Sequence, residues 1–245
     1  MSSPVTEARG HRFMGSTRHQ TLNWHVYNDV VRLISSGMYP AGTRLDEQQI
    51  AEELGVSRTP LREAISKLVK DGLVEHRPYR GNFVRTFTAK EVFDLYEVRK
   101  GLESMAVRLA IPRLGNASIA ELRKILSEID HALNAGDLEA YGLADKQFHD
   151  AIADLSGNET LISMLVRLSG QVQLIRTMAN QDPSIVEITA MERPGIVDAM
   201  ISGDVSEATR LMEEHIELVQ RNTTARIEAA QSIAGNGSRV ALGQN

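Results

Sequence analysis

The chain has 245 residues, 42% of them hydrophobic, a formal net charge of −5 and no cysteine. That length suits two ordinary domains, each with its own core, and the lack of cysteine excludes disulfides, thiolate metal sites and cysteine nucleophiles and fits a reducing cytoplasm. No apolar run approaches the ~20 residues that span a bilayer, and the first 20 residues carry Arg, His and Ser rather than the apolar core of a signal peptide, so the expected location is cytoplasmic, with no membrane partner. An acidic chain gains little from bulk charge on nucleic acid, yet its charge is uneven. Between Arg58 and Arg85, seven cations (Arg58, Arg62, Lys67, Lys70, Arg77, Arg80, Arg85) face three anions (Glu63, Asp71, Glu75), which marks a candidate phosphate-facing patch.

Residues 1–20 read as a flexible tail. From Thr21 to Ser36, Leu22, Val26, Val30 and Leu33 recur at helical spacing, and Gly37 closes that helix. After a Pro- and Gly-rich turn, Asp46 offers an N-cap for a short helix whose Ile50 and Leu54 face inward, ended by Gly55 in the left-handed conformation. The next helix starts at Ser57 or Thr59 with Pro60 in its first turn, and Leu61, Ala64, Ile65 and Leu68 form its buried side. Ser57, Arg58, Thr59 and Arg62 then sit at its exposed N-terminal end. Free amides there favour phosphate, and arginines reach guanine edges in a major groove. Residues 73–77 and 82–86 read as two strands around Pro78-Tyr79-Arg80-Gly81, a wing whose Arg80-Gly81 tip suits a minor groove.

Thr88 to Glu91 is a capping box that starts a long helix, with Leu95, Val98, Leu102, Met105 and Leu109 as its expected core face. Further stripes follow: Leu122, Ile125, Ile129 and Leu133; Phe148, Ile152 and Leu155; Leu161, Leu165, Leu168, Val172 and Ile175; Ile188, Ile196 and Met200; Leu211, His215 and Leu218. Residues 88–230 therefore read as an all-helical bundle of six or seven helices, and 232–245 as a flexible tail. The expected fold is mainly α: a winged helix-turn-helix over 21–86 with a small β-hairpin wing, then the bundle. Polar residues on apolar faces single out a site. Asp145 and His149 share one helix face, His215 lies between Leu211 and Leu218, and Arg99 lies in a row with Val92, Tyr96 and Ala106, within i,i+4 reach of Glu103. Two histidines and a carboxylate also suit a facial iron site, so the alternative function is a metal-dependent enzyme, although no separate catalytic acid–base pair accompanies them.

The run Gly42-Thr43, Leu45-Asp46-Glu47, Ile50-Ala51, Leu54 through Ile65, Leu68, Asp71 to Val74 and Arg80-Gly81 with Val84 resembles the winged helix of GntR-family bacterial transcription regulators. The order Arg99 and Glu103, Asp145 with Phe148-His149, Gly157-Asn158, Gly203-Asp204, Ala208 and His215 resembles the effector-binding domain of that family's FadR branch, the type named FCD. The resemblance implies a regulator rather than an enzyme, most often a repressor, binding a palindromic double-stranded DNA operator as a homodimer and responding to a small carboxylate effector. It implies base contacts for Arg58 and Arg62, phosphate or base contacts for Ser57 and Thr59, and minor-groove contact for Arg80-Gly81. Asp145, His149 and His215 match ligands of a divalent metal such as zinc or nickel, but where the family usually has its middle histidine this chain has Arg193, and arginine cannot coordinate a metal. Two arrangements follow. Either the three remaining ligands hold a metal with Arg193 turned outward, which is expected because three of four ligand types persist, or the metal is gone and Arg193, with Arg99, binds the effector carboxylate.

Overall fold

A computed structural model describes the backbone of residues 14–179 and 183–241 and the side chains of 24–176 and 185–229. Helix α1 (Met14–Ser35) begins inside the stretch read as an N-terminal tail, and α9 (Val205–Ala241) runs through most of the stretch read as a C-terminal one. The glycines of that second stretch, Gly235 and Gly237, lie within α9, since a glycine costs only about 1 kcal/mol in a helix that is already nucleated. Residues 1–13 and 242–245, the remainder of those two expected tails, lie outside the described residues.

The N-terminal unit forms as its local signals require. Val26, Val30 and Ile34 are the buried side of α1. Asp46 caps α2 (Glu47–Glu53) by accepting from the amides of Gln48 and Gln49 at 2.9 and 3.2 Å. Gly55, at φ +64°, turns the chain toward α3 (Arg58–Lys70), whose Leu61, Ala64, Ile65 and Leu68 are buried. The wing strands β2 (Val74–Arg77) and β3 (Gly81–Val84) pair antiparallel, Val74 opposite Val84 and Arg77 opposite Gly81. A third strand, β1 (Arg44–Leu45), adds to the other edge of β3. Two residues are too few to show strand alternation, which is why the sequence does not announce it.

The second unit comprises α4 (Ala89–Ala110), α5 (Asn116–Ala135), α6 (Leu138–Leu155), α7 (Glu159–Ala179), α8 (Pro183–Ser202) and α9, with a short 3-10 turn at Ile111–Arg113. The Thr88–Glu91 capping box is formed. Helix α4 is central, packed by α6, α7 and α9. Its core face differs from the expected one. Val92, Tyr96, Arg99, Glu103, Ala106, Val107 and Ala110 are buried, whereas Val98 and Met105 are 55% and 44% exposed and Leu95, Leu102 and Leu109 are half-buried. The true inner face carries an arginine and a glutamate, so hydrophobicity alone points to the outer stripe. Ile188 is likewise exposed, whereas Ile196 and Met200 of the same expected stripe are buried. No described helix is long and apolar enough to cross a membrane.

Candidate DNA-reading face and bundle centre

At the N-terminus of α3, Ser57 occupies the N-cap position in an extended conformation without capping the helix through its side chain. The first-turn amides thus keep their outward polarity, which favours an anion. Ser57, Arg58, Thr59 and Arg62 are all exposed there. Both arginines are held by the first turn of α2: Arg58 donates to Gln48 Oε1 at 2.8 Å and Arg62 Nε to Glu47 Oε2 at 2.7 Å. Glu47 also accepts from Asn82 Nδ2 on β3 at 3.2 Å, so one carboxylate orients the helix and the wing together. At the wing tip Arg80 is exposed and Gly81 half-buried. Two residues here lay outside the sequence reading. Tyr79 is fully exposed with φ +60°, and β1 sets Arg44 beside Gly81, whose added Cβ would stand 3.4 Å from Arg44 Nε. A positive φ on an aromatic residue costs strain, which the Pro78-Tyr79 dipeptide in a tight turn hints at.

The polar residues singled out in the bundle do meet. Asp145 and His149 on α6 and His215 on α9 bring one potential ligand atom each to within 4.8 Å of one another, and the two imidazoles stack with centroids 5.4 Å apart. Arg193, expected to turn outward, does the opposite. It is 1% exposed, pairs with Asp145 Oδ1, and donates to Tyr141 Oη at 3.2 Å and to the Thr189 carbonyl at 2.6 Å. A guanidinium inside the bundle needs a carboxylate, and Asp145 is the one within reach. Arg176 of α7 takes the other oxygen, Asp145 Oδ2. Arg176 was not singled out in the sequence, although it lies four residues after Val172 on that helix's apolar stripe.

A second pair adjoins the first. Arg99 Nε donates to Glu103 Oε1 at 2.6 Å, Glu103 Oε2 bonds His149 Nδ1, and Arg99 Nη2 lies 3.2 Å from His149 Nε2. A guanidinium only donates. His149 Nε2 is therefore the acceptor, and Nδ1 carries the hydrogen given to Glu103. Burial alone would raise the Glu103 carboxyl, but Arg99 and His149 outweigh it and hold it at about 2. In the same way burial opposes ionisation of Asp145, and Arg176 and Arg193 hold it well below the usual carboxylate range. Burial, Arg193 and His149 push His215 well below its ordinary value, leaving a neutral imidazole whose Nδ1 lies 2.9 Å from Glu192 Oε2.

A pocket opens beside this network, lined by Arg99, Glu103 and His149 and by Leu168, Val172 and Arg176 of α7. Its free volume is about 40 Å³, room for a few water molecules. Another face of α7 meets the end of α3. Gln171 Nε2 donates to the Asp71 carbonyl at 3.2 Å, and Gly170 lies so close to Leu73 that an added Cβ would stand 3.0 Å from Leu73 Cδ1. Asp71 in turn accepts from Tyr27 Oη of α1 at 2.8 Å.

A winged helix-turn-helix joined to an all-helical bundle is the architecture of a class of DNA-binding transcriptional regulators. Family models agree: "Bacterial regulatory proteins, gntR family" matches residues 22–84 and "FCD domain" residues 94–218. The chain belongs to the GntR family of bacterial transcriptional regulators, with an FCD domain after its winged helix. It is 34% identical over 154 residues to the uncharacterized HTH-type transcriptional regulator YdhC of Bacillus subtilis (strain 168), covering 62% of this chain and 68% of that one. It is 30% identical over 196 residues to a protein of Paenarthrobacter nicotinovorans named as a probable D-xylose utilization operon transcriptional repressor, covering 80% and 86%. The solved structure of Escherichia coli McbR/YncC superposes with a TM-score of 0.75 at 25% identity, covering 84% of this chain and 98% of that one. These relatives are regulators, not enzymes, so the alternative reading of the bundle centre as a catalytic metal site falls.

Asp145→Asn leaves two buried guanidiniums without their shared counter-charge, and breaking such a pair typically costs about 3–5 kcal/mol. Urea unfolding of this variant should show a loss of that order. A loss comparable to that of a surface substitution would contradict the burial and pairing described here.

Proposed function

We propose that the chain is a dimeric, ligand-responsive repressor that reads a palindromic operator and is released from it by a small carboxylate metabolite in the bundle. The observation that carries this reading is the position of α7, which lines the pocket with Leu168, Val172 and Arg176 and touches the end of the reading helix with Gly170 and Gln171. A pocket with about 40 Å³ of free volume admits a metabolite only if a wall moves. Displacement of α7 carries the Asp71–Leu73 turn with it, and with that turn the recognition helix. A ligand that prefers the displaced arrangement lowers operator affinity by its differential affinity for the two arrangements. Arg99 and Arg176 at the pocket wall provide the donors for a carboxylate.

In this reading Arg58 and Arg62 leave Gln48 and Glu47 for base edges, Ser57 and Thr59 meet the backbone, and Arg80-Gly81 enters a minor groove. The dimer seam is the outer stripe of α4. Leu95, Val98, Leu102, Met105 and Leu109 recur at alternating spacings of three and four, a heptad pattern that seeks a partner helix, and the chain's own core leaves Val98 and Met105 exposed and Leu95, Leu102 and Leu109 half-buried.

Arg58→Ala and Arg62→Ala should each weaken binding to a selected operator by about 1–3 kcal/mol and broaden its sequence preference, read by fluorescence anisotropy across a panel of operator variants. Retained affinity and preference in both would contradict the assignment of the reading helix. The double variant Val98→Glu/Met105→Glu should sediment as a monomer and lose operator affinity. A dimer of unchanged stability would place the seam elsewhere.

A further inference from the structure

The bundle centre differs from a metal site in what its donor atoms already do. Two of the three residues that would ligate an ion already have guanidinium partners: Asp145 spends Oδ1 on Arg193 and Oδ2 on Arg176, and His149 Nε2 accepts from Arg99. On these two residues the lone pairs that would face a cation are thus turned to guanidiniums. The two imidazoles are oriented through Nδ1 by Glu103 and Glu192, as ligating histidines commonly are by a carboxylate, but that orientation points His149 at an arginine. Charge gives the same answer. Among the described residues Arg99, Arg176 and Arg193 are buried against two equally buried carboxylates, Asp145 and Glu103, with the half-buried Glu192 at His215, so no surplus negative charge remains at the centre to attract a divalent cation. The groups left without a partner also ask for the opposite of a metal. Arg193 Nε is buried with no acceptor in reach, and the Tyr96 hydroxyl, buried beside Arg99, has none for its hydrogen among the described residues. An N–H and an O–H need a lone pair, which a cation does not offer.

We infer that this chain's bundle centre holds no resident divalent metal, because the Arg193 guanidinium has taken over the ion's charge and its hold on Asp145, and that the site takes an anion directly on side-chain donors. The anion part rests on the carboxylate-responsive reading above; the metal part stands on the ion pairs alone. Arg193 does for the bundle what an ion would do: it binds the α6 carboxylate from α8 and spans to Tyr141. It differs from an ion in being covalently part of the chain, so the tie between α6 and α8 cannot be removed by a chelator.

The test uses the full-length protein, purified without an affinity tag or chelator. Elemental analysis by mass spectrometry should find no stoichiometric metal, calorimetric titration with zinc and with nickel should show no saturable one-to-one binding, and excess chelator should leave the melting temperature unchanged. A metal bound at one per protomer, or a melting temperature that falls with chelator, overturns the inference. Arg193→His restores an imidazole and frees Asp145 Oδ1, and should tighten zinc binding by about tenfold or more, with a melting temperature that rises with zinc. Unchanged zinc affinity in the folded variant overturns the assignment of Arg193 as the group that excludes the ion; if the variant does not fold, the wild-type measurements still decide. Operator binding measured on the same wild-type samples separates the two claims: bound metal with intact operator binding removes this inference and leaves the regulator reading standing, and metal-free protein that binds no operator does the reverse.

Discussion

Asp145 is the group on which the bundle depends. Its carboxylate lies between the guanidiniums of Arg176 and Arg193, so one side chain on α6 ties down α7 and α8 at once. The neighbouring Arg99, Glu103 and His149 add α4 to the same network. Buried ion pairs contribute little net stability, since desolvation offsets most of their attraction, but removing one partner is costly. Their consequence is therefore geometric. Apolar contacts among Tyr96, Phe148, Ile152 and Ile175 would tolerate a helix sliding by part of a turn, whereas a carboxylate shared by two arginines does not.

That constraint reaches the DNA-reading unit through α7. Arg176 fixes the helix from the bundle side, and six residues earlier Gly170 lets it approach Leu73 closely enough that a methyl group would press on the leucine. Gln171 adds its hydrogen bond to the Asp71 carbonyl, and Tyr27 and Lys67 complete the junction: the tyrosine hydroxyl donates to Asp71 while the Lys67 ammonium lies 4.3 Å from the ring centroid. Burial and the Asp71 carboxylate push the Tyr27 hydroxyl well above its ordinary value, so it remains a donor at any physiological pH. The end of the reading helix is thus held by the same helix that walls the pocket. At the other end of α3, Glu47 holds Arg62 and Asn82 in place. Position and orientation of the candidate reading surface are set at opposite ends of one helix.

Much of this was legible in the sequence where the signal is local. A cap at Asp46, a left-handed glycine at Gly55, proline in the first turn of α3 and the Thr88–Glu91 box each act over a few residues, and each is found as read. What failed depended on distant partners. Helix α4 carries two stripes, and the more hydrophobic one, through Val98 and Met105, is outside because the inner one is occupied by Arg99 and Glu103, whose burial is stabilised only by groups on other helices. Arg193 was expected outward because three of four metal-ligand types persist; nothing near it in the chain reveals that Asp145 and Tyr141, some 50 residues earlier, enclose it. Arg176, four residues after Val172 on an apolar stripe, was not singled out. Most residues of the bundle centre could be listed from the sequence, as could the i,i+4 pair Arg99–Glu103, whereas the pairings between helices could not.

The central claim is that the ionic centre and the recognition helix are joined through α7, and amide hydrogen exchange in an Arg176→Met variant tests it most directly. Methionine keeps much of the length of the side chain and removes its charge, so α7 loses its tie to Asp145. The amides of Gly72 and Leu73, which donate to the Val69 and Leu68 carbonyls at 3.1 and 2.9 Å, report the end of α3. The account predicts faster exchange at these two amides while α5, which packs on α6 and α8 away from this junction, keeps its protection. Unchanged exchange at Gly72 and Leu73, in a variant whose α7 amides have been loosened, would contradict it.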